Sequence, residues 1–285
     1  SIPGTASFAA KVDFSTGASS GPAAVSIGDL DADGKPDLVT VNSTTNTVSV
    51  FLNTSTTGSI NFASKVDFAT EALPYAVSIN DIDGDGKPDI SVANFSGSSF
   101  SVLRNASTTG TIAFAPKVDY TTGAGSQASG ICAGDLDGDG KADITVTIAS
   151  SNKVSVFRNT SVPGTISFAT KIVVTTASGP YKVSAGDIDG DGKPDLAVAS
   201  SDVVSKVSVL RNTSTSGNIS FATKVDLTTG AYTNFVSIGD IDGDDKPDIV
   251  TNNSGSNTVS ILQQSVPAPA ITSFTPLSGP PGTLV

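Results

Sequence analysis

The nonapeptide DLDADGKPD at residues 29–37 returns as DIDGDGKPD at 81–89, DLDGDGKAD at 135–143, DIDGDGKPD at 187–195 and DIDGDDKPD at 240–248. The copies begin 52, 54, 52 and 53 residues apart. A period near 50 marks a modular array, in which one supersecondary unit recurs and stacks on its neighbours. Within each copy, carboxylates alternate around a turn residue, which is how a short loop presents hard oxygen donors to a cation.

Aligning outward from the nonapeptides gives a unit of four strand-like segments. In the first unit these are FAAKVDF (8–14), AAVSIGD (23–29), DLVTVN (37–42) and TVSVFLN (47–53). Apolar residues alternate through them, as in Val48, Val50 and Leu52, and a period of two is the strand signal. The links are rich in Gly, Ser, Thr and Asn, which suits turns. Helix formers are scarce: Glu71 is the single Glu and there is no Met. Four antiparallel strands per unit predict an all-β β-propeller built of four-stranded blades, five of them visible. A solenoid is the alternative, but its coils are usually shorter and parallel.

The nonapeptide chemistry points to calcium. Asp29, Asp31 and Asp33 occupy loop positions 1, 3 and 5, the carbonyl of Lys35 fits position 7, and Asp37 stands at position 9. The same set recurs as Asp81, Asp83, Asp85, Lys87 and Asp89, and as Asp135, Asp137, Asp139, Lys141 and Asp143. It returns as Asp187, Asp189, Asp191, Lys193 and Asp195, then as Asp240, Asp242, Asp244, Lys246 and Asp248. Ca²⁺ takes six to eight oxygen ligands, whereas Mg²⁺ demands a stricter octahedron with retained waters. With no His and one Cys, zinc and copper lack their usual ligands. An EF-hand is excluded, because its position-12 Glu is replaced by Thr40, Val92, Val146, Val198 and Thr251. Four carboxylates in nine residues repel one another unless a cation compensates. In the fifth copy Asp245 takes the place of the turn Gly, and Asp tolerates positive φ better than most residues.

Of the 27 acidic residues, 21 lie in the nonapeptides, so one Ca²⁺ per loop would bring the formal charge from −11 to about −1. The acidity is then a metal signature and not an attraction for basic partners. Sixteen dispersed Lys and Arg give no nucleic-acid footprint, and no apolar run reaches the length of a membrane span. Cys132 stands where the other units have Ser26, Ser78, Ser184 and Ser237, and reads as a small strand residue.

On these residues the chain resembles the FG-GAP/VCBS repeat family, the calcium-loop propellers also found in integrin α-subunits. The likeness covers about residues 1–264 and rests on VSIGDIDGDGKPDI followed by x-V, matched in position. It implies that the segment ending in the first Asp is the innermost strand, that the acidic loop joins strands one and two, and that FAAKVDF is an outer, fourth strand. Two readings of the ends stay open. Residues 8–14 complete the fifth blade, or they belong to a preceding blade of a parent with six to eight. The propeller is expected over 1–265, with a Pro-Ala linker at 266–270. Residues 271–285 (ITSFTPLSGPPGTLV) resemble the opening strand of an IPT/TIG-type domain.

Catalysis is hard to build from one Cys, one Glu and no His, with most Asp assigned to metal. Asp13, Asp67, Asp119 and Asp226 recur in K-V-D of the outer strand, where solvent exposure is the expected reason. The loops opposite the acidic turns vary among copies and carry Tyr75, Phe95, Tyr181, Lys182, Tyr232, Asn234 and Phe235. Aromatics there suit stacking on sugars or anchoring a protein, against a simpler role in packing between blades. Asn53, Asn105, Asn159 and Asn212 fit glycosylation sequons, which a Ser/Thr-rich chain also gives by chance. The sequence therefore predicts a non-catalytic, calcium-stabilised propeller of a secreted or cell-surface protein. Its ligand is expected to be a carbohydrate or an extracellular protein. Alternatives are a docking domain of an extracellular polysaccharide hydrolase or lyase, or a spacer.

Overall fold

The computed structural model describes residues 8–264. The chain is all β, with one 3₁₀ turn at Ala149–Ser151. Blade 1 comprises β1 (Pro22–Gly28), β2 (Asp37–Asn42), β3 (Thr47–Phe51) and β4 (Val66–Ala69). Blade 2 comprises β5 (Pro74–Asn80), β6 (Asp89–Asn94), β7 (Ser99–Leu103) and β8 (Val118–Thr121). Blade 3 follows with β9 (Ala128–Gly134), β10 (Asp143–Ile148), β11 (Lys153–Phe157) and β12 (Ile172–Thr175). Blade 4 holds β13 (Pro180–Gly186), β14 (Asp195–Ser200), β15 (Lys206–Leu210) and β16 (Val225–Thr228). Blade 5 has three strands, β17 (Thr233–Gly239), β18 (Asp248–Asn253) and β19 (Thr258–Leu262). Every sheet is an antiparallel meander in chain order, the arrangement of a β-propeller.

Strand alternation explains the stacking. Each sheet turns one set of side chains to the blade before it and the other to the blade after it. Four buried clusters fill the four interfaces. The first joins Val39, Val41, Val48 and Val50 of blade 1 to Ile90 and Val92 of blade 2. The second sets Phe100 and Val102 against Ile144 and Val146; the others repeat the pattern between blades 3 and 4 and between 4 and 5. The first strands line up along an axis, β1 against β5, β5 against β9, and so on to β17.

Two expectations change here. Residues 8–14 are not a strand, and β17–β18–β19 has no fourth member among the described residues, so the fifth blade is not closed by them. Phe14 instead stacks edge-on against Phe62 with ring centroids 5.0 Å apart. Phe68 meets Phe114 at 4.9 Å and Tyr120 meets Phe168 at 4.8 Å in the same way. Those pairs join the outer strand of one blade to the next blade, and Phe14 packs on blade 1 in the same manner. The expected linker and IPT/TIG segment fall outside the described residues.

The outer strands add to a third expectation. Asp67 and Asp119 are exposed as expected and Asp226 is half-buried, and each also has polar partners. The buried hydroxyls of Ser49, Ser101 and Ser208 donate to them at 2.6, 2.6 and 2.7 Å, and Lys65, Lys117 and Lys224 bind their other oxygen. The K-V-D motif is a clasp between strands three and four.

Candidate metal centre and the opposite face

Each nonapeptide lies between the first and second strands of its blade, and its first Asp organises the turn. Asp81 Oδ1 accepts from the amides of Gly84 and Asp85 at 2.8 and 3.2 Å, while Oδ2 accepts from Gly86 at 2.8 Å. Asp85 in turn accepts from the amide of Lys87 at 2.9 Å. The Gly at position 6 is needed because φ is left-handed there: 84° at Gly34, 86° at Gly86. Asp245 takes that conformation at φ 64°, and Ala32 takes a left-handed φ of 59° where the other loops have Gly at position 4.

The carboxylates converge. In every loop three of them place one oxygen each within 4.8 Å of the others. Asp29, Asp31 and Asp33 meet in blade 1, and Asp81, Asp83 and Asp85 in blade 2. In blades 3 to 5 the position-9 residue replaces the position-5 one. The groups are Asp135, Asp137 and Asp143; Asp187, Asp189 and Asp195; and Asp240, Asp242 and Asp248. A cluster of hard oxygens could hold a metal ion, and calcium is compatible with it. Asp139, Asp191 and Asp244 stay in their loops, each accepting from the following Lys amide. The Lys side chains leave the cluster in the middle loops: Lys87, Lys141 and Lys193 donate to the carbonyls of Ser107, Ser161 and Ser214.

The position-9 carboxylates are the most buried. Burial pushes Asp89 and Asp143 up to about 6, against the pull of backbone amides from Asn105 and Ile82, and from Asn159 and Leu136. Asp37 and Asp195 are raised for the same reason.

The first four loops are also held by the next blade. The Gly110 amide donates to Asp31 Oδ2 at 2.6 Å, Gly164 to Asp83 and Gly217 to Asp137, both at 2.9 Å. The Asn105 amide nitrogen reaches the carbonyl of Leu30 at 2.8 Å and that of Pro88 at 2.8 Å. Asn159 spans Ile82 and Ala142, Asn212 spans Leu136 and Pro194, and Gln264 reaches Ile188. The sequon reading of Asn53, Asn105, Asn159 and Asn212 is thereby overturned. All four are buried and their amides are committed to backbone carbonyls, so none offers a glycosylation site. Their regular spacing just after the third strand was the available signal for a latch.

At the opposite end of the inner strands the register slips once per blade. Ala23, Tyr75, Ser129, Tyr181 and Asn234 are left without a ladder partner. A bulge re-aims a side chain and frees a carbonyl from the ladder. The freed carbonyls of Tyr75 and Ser129 accept from Lys182 Nζ at 3.0 and 2.9 Å. Lys182 thus ties blades 2, 3 and 4 together near the axis. Its ammonium lies 5.1 and 5.6 Å from the ring centres of Tyr75 and Tyr181, within cation–π range. Burial pushes it down to about 8. Tyr181 donates to the Tyr75 hydroxyl at 2.7 Å, and Phe95 sits 5.6 Å from Tyr75.

Of the five aromatic residues expected on this face, three come together. Tyr232 is held apart, packed over Gly255, and Phe235 projects from β17 into an axial cavity of about 500 Å³ that Lys182 also lines. Lys182 became legible as a central residue only through the bulges. Desolvation pushes the half-buried Cys132 thiol up to about 12, which disfavours the thiolate. Among the described residues no helix is long and apolar enough to cross a membrane.

The model of the FG-GAP-like repeat matches residues 29–92, 81–146, 145–198 and 187–251. No curated protein matches the sequence. Among solved structures, the chain is similar to a catalytically inactive virginiamycin B lyase from Staphylococcus aureus, determined with quinupristin. The TM-score is 0.52 at 15% identity, over 85% of this chain and 70% of that one. It is also similar to a provisionally assigned 6-phosphogluconolactonase from Bacteroides fragilis, with TM-score 0.52, 15% identity, and 82% and 67% of the two chains. At that identity the likeness is one of fold.

Proposed function

The chain belongs to the FG-GAP-like repeat family, and from that premise we propose a non-catalytic, calcium-stabilised binding module of a secreted or cell-surface protein. One observation carries the reading: every blade gathers three carboxylate oxygens from a single nonapeptide within 4.8 Å. Such a group repels itself without a cation, and an all-oxygen donor set favours Ca²⁺. The Asp residues at positions 1, 3, 5 and 9 would hold it, with the carbonyls of Lys35, Lys87, Lys141, Lys193 and Lys246. The metal's task is structural, because the loop it fixes is also the part gripped by the next blade. Loops of this kind commonly suit the millimolar calcium found outside cells.

The ligand surface is the bulge side, centred on Tyr75, Phe95 and Tyr181, with Tyr232 and Phe235 further out. Aromatic faces beside a buried ammonium suit a carbohydrate, with an extracellular protein as the other partner class. The same cluster would let the domain dock substrate for an extracellular polysaccharide hydrolase or lyase, which is the second reading. A pure spacer would need no such surface.

Titration with CaCl₂ by calorimetry is expected to fill up to five sites, and dialysis against EDTA to lower the Tm by about 10 °C or more. A thermal transition unmoved by EDTA would sink the calcium reading. Polysaccharide pull-down below the melting range is expected to lose its signal in Tyr75→Ala and Tyr181→Ala, with the fold of both variants checked by circular dichroism. Equal retention by wild type and variants would exclude this surface.

A further inference from the structure

Every acidic loop has a cationic side chain against its carboxylates, but the chain supplies it from two different places. In blades 2 to 4 it is an Arg just after the third strand. Arg104 Nη1 lies 4.0 Å from Asp83 Oδ2 and 3.9 Å from Asp85 Oδ2. Arg158 lies 3.8 Å from Asp139, and Arg211 lies 3.8 Å from Asp189. Blades 1 and 5 have Leu52 and Gln263 at that place in the repeat. There the loop's own Lys takes over: Lys35 donates to Asp33 at 3.1 Å and Lys246 to Asp244 at 2.7 Å. The exchange is complete. Where an Arg is present, Lys87, Lys141 and Lys193 turn away to the carbonyls of Ser107, Ser161 and Ser214.

Two cations crowded on one loop repel each other, and a loop with none leaves its carboxylates to repel one another. One cation per loop relieves the second cost without incurring the first. A guanidinium or an ammonium offers only N–H donors, so it meets the carboxylates as a rival to a metal ion and never as its ligand. We infer that the side chains of Arg104, Arg158, Arg211, Lys35 and Lys246 are counter-cations that set how tightly each loop takes a divalent ion. They weaken its uptake and steady the loop when it is removed. The inference rests on the calcium reading proposed above and assigns the affinity in part to side chains outside the donor set. Arg104 is half-buried and faces two carboxylates, so it should weigh most. Arg211 is exposed and should weigh least, because solvent and salt screen it.

The test combines Arg104→Gln, Arg158→Gln and Arg211→Gln, Gln being the residue blade 5 carries at that place. CaCl₂ is titrated into wild type and variant by calorimetry, at low and at high KCl. The variant is expected to take calcium about three- to tenfold more tightly in the three middle loops at low salt, with the gain shrinking at high salt. Its Tm in EDTA is expected to fall below that of wild type, so that calcium raises it by more. Arg104→Lys, Arg158→Lys and Arg211→Lys together keep the charge and are expected to restore weaker uptake, which a packing role would not. Equal or weaker affinity in the Gln variant, or a gain insensitive to salt, overturns the inference and leaves calcium binding in place. No calcium uptake by wild type and variants alike sinks the calcium reading, and the inference with it. If the triple variant does not fold, Lys35→Gln with Lys246→Gln decides, since both side chains reach solvent and the position-7 carbonyls remain. Tighter uptake in the first and fifth loops supports the counter-cations, and unchanged uptake overturns them.

Discussion

On one side of the arc the chain writes the same nine residues five times, and each copy makes the same turn around its first Asp. On the other side five bulges carry Ala23, Tyr75, Ser129, Tyr181 and Asn234, no two neighbours alike. The difference separates two jobs. The acidic side is held from two directions, by its own amides and by an Asn and a Gly of the next blade, so a changed residue there disturbs two blades. The bulge side is tied across blades by Lys182, Ser129 and Thr147, and its other side chains vary from blade to blade.

The largest effect that sharpens this contrast comes from the latch. Asn159→Ala leaves the carbonyls of Ile82 and Ala142 and the Ser161 amide without their partner. It is expected to cost about 2–4 kcal/mol in urea unfolding. Among the described residues the Asn53 side-chain amide reaches only Pro36 and no carbonyl of another blade, so Asn53→Ala should cost roughly half as much. Equal losses at the two positions would mean the cross-blade bond adds nothing.

Next in size is Lys182. Its folded pKa is lowered by burial to about 8, from an ordinary 10.5. Below about pH 8 the fold bears the full cost of keeping the ammonium from water. Above it the folded state gives up the proton before the unfolded chain does, so stability rises until about pH 10.5. Relative to Lys182→Met, the wild type should therefore gain up to about 3 kcal/mol between pH 7.5 and 10.5. A difference that stays flat or falls across that window contradicts the placement.

The smallest effects lie in the acidic loops that depart from the pattern. Ala32→Gly and Asp245→Gly relieve left-handed backbone at φ 59° and 64° and should each stabilise by roughly 0.5–1 kcal/mol. Ala32 should gain more, because Asp suits that region better. Gly86→Ala should lose a similar amount in thermal melts.

Much of this was readable before any coordinates. Period, alternation and carboxylate spacing are local properties, and they gave the strands, the blades and the acidic loops with few errors of boundary. What escaped depended on partners far along the chain. Asn105 looks like a sequon until Leu30, 75 residues away, is found at its amide. Asp119 is the exposed outer residue the sequence suggests, but the buried Ser101 hydroxyl that donates to it is invisible there. Tyr75 and Tyr181, 106 residues apart, meet from the bulges in β5 and β13. Each bulge lies one residue from the start of its strand, so too little alternation precedes it to show the shift of phase.

The bond from Gly164 to Asp83, and its equivalents at Gly110 and Gly217, gives the arc a direction. One oxygen of a clustered carboxylate belongs to its own loop, the other to a hairpin one blade later. Whatever tightens or frees that carboxylate is felt downstream first. Such a chain of nearest-neighbour links behaves as a one-dimensional cooperative system. Melting should therefore spread blade by blade from a weakened loop, and ion uptake should follow a steeper curve than five independent sites would give.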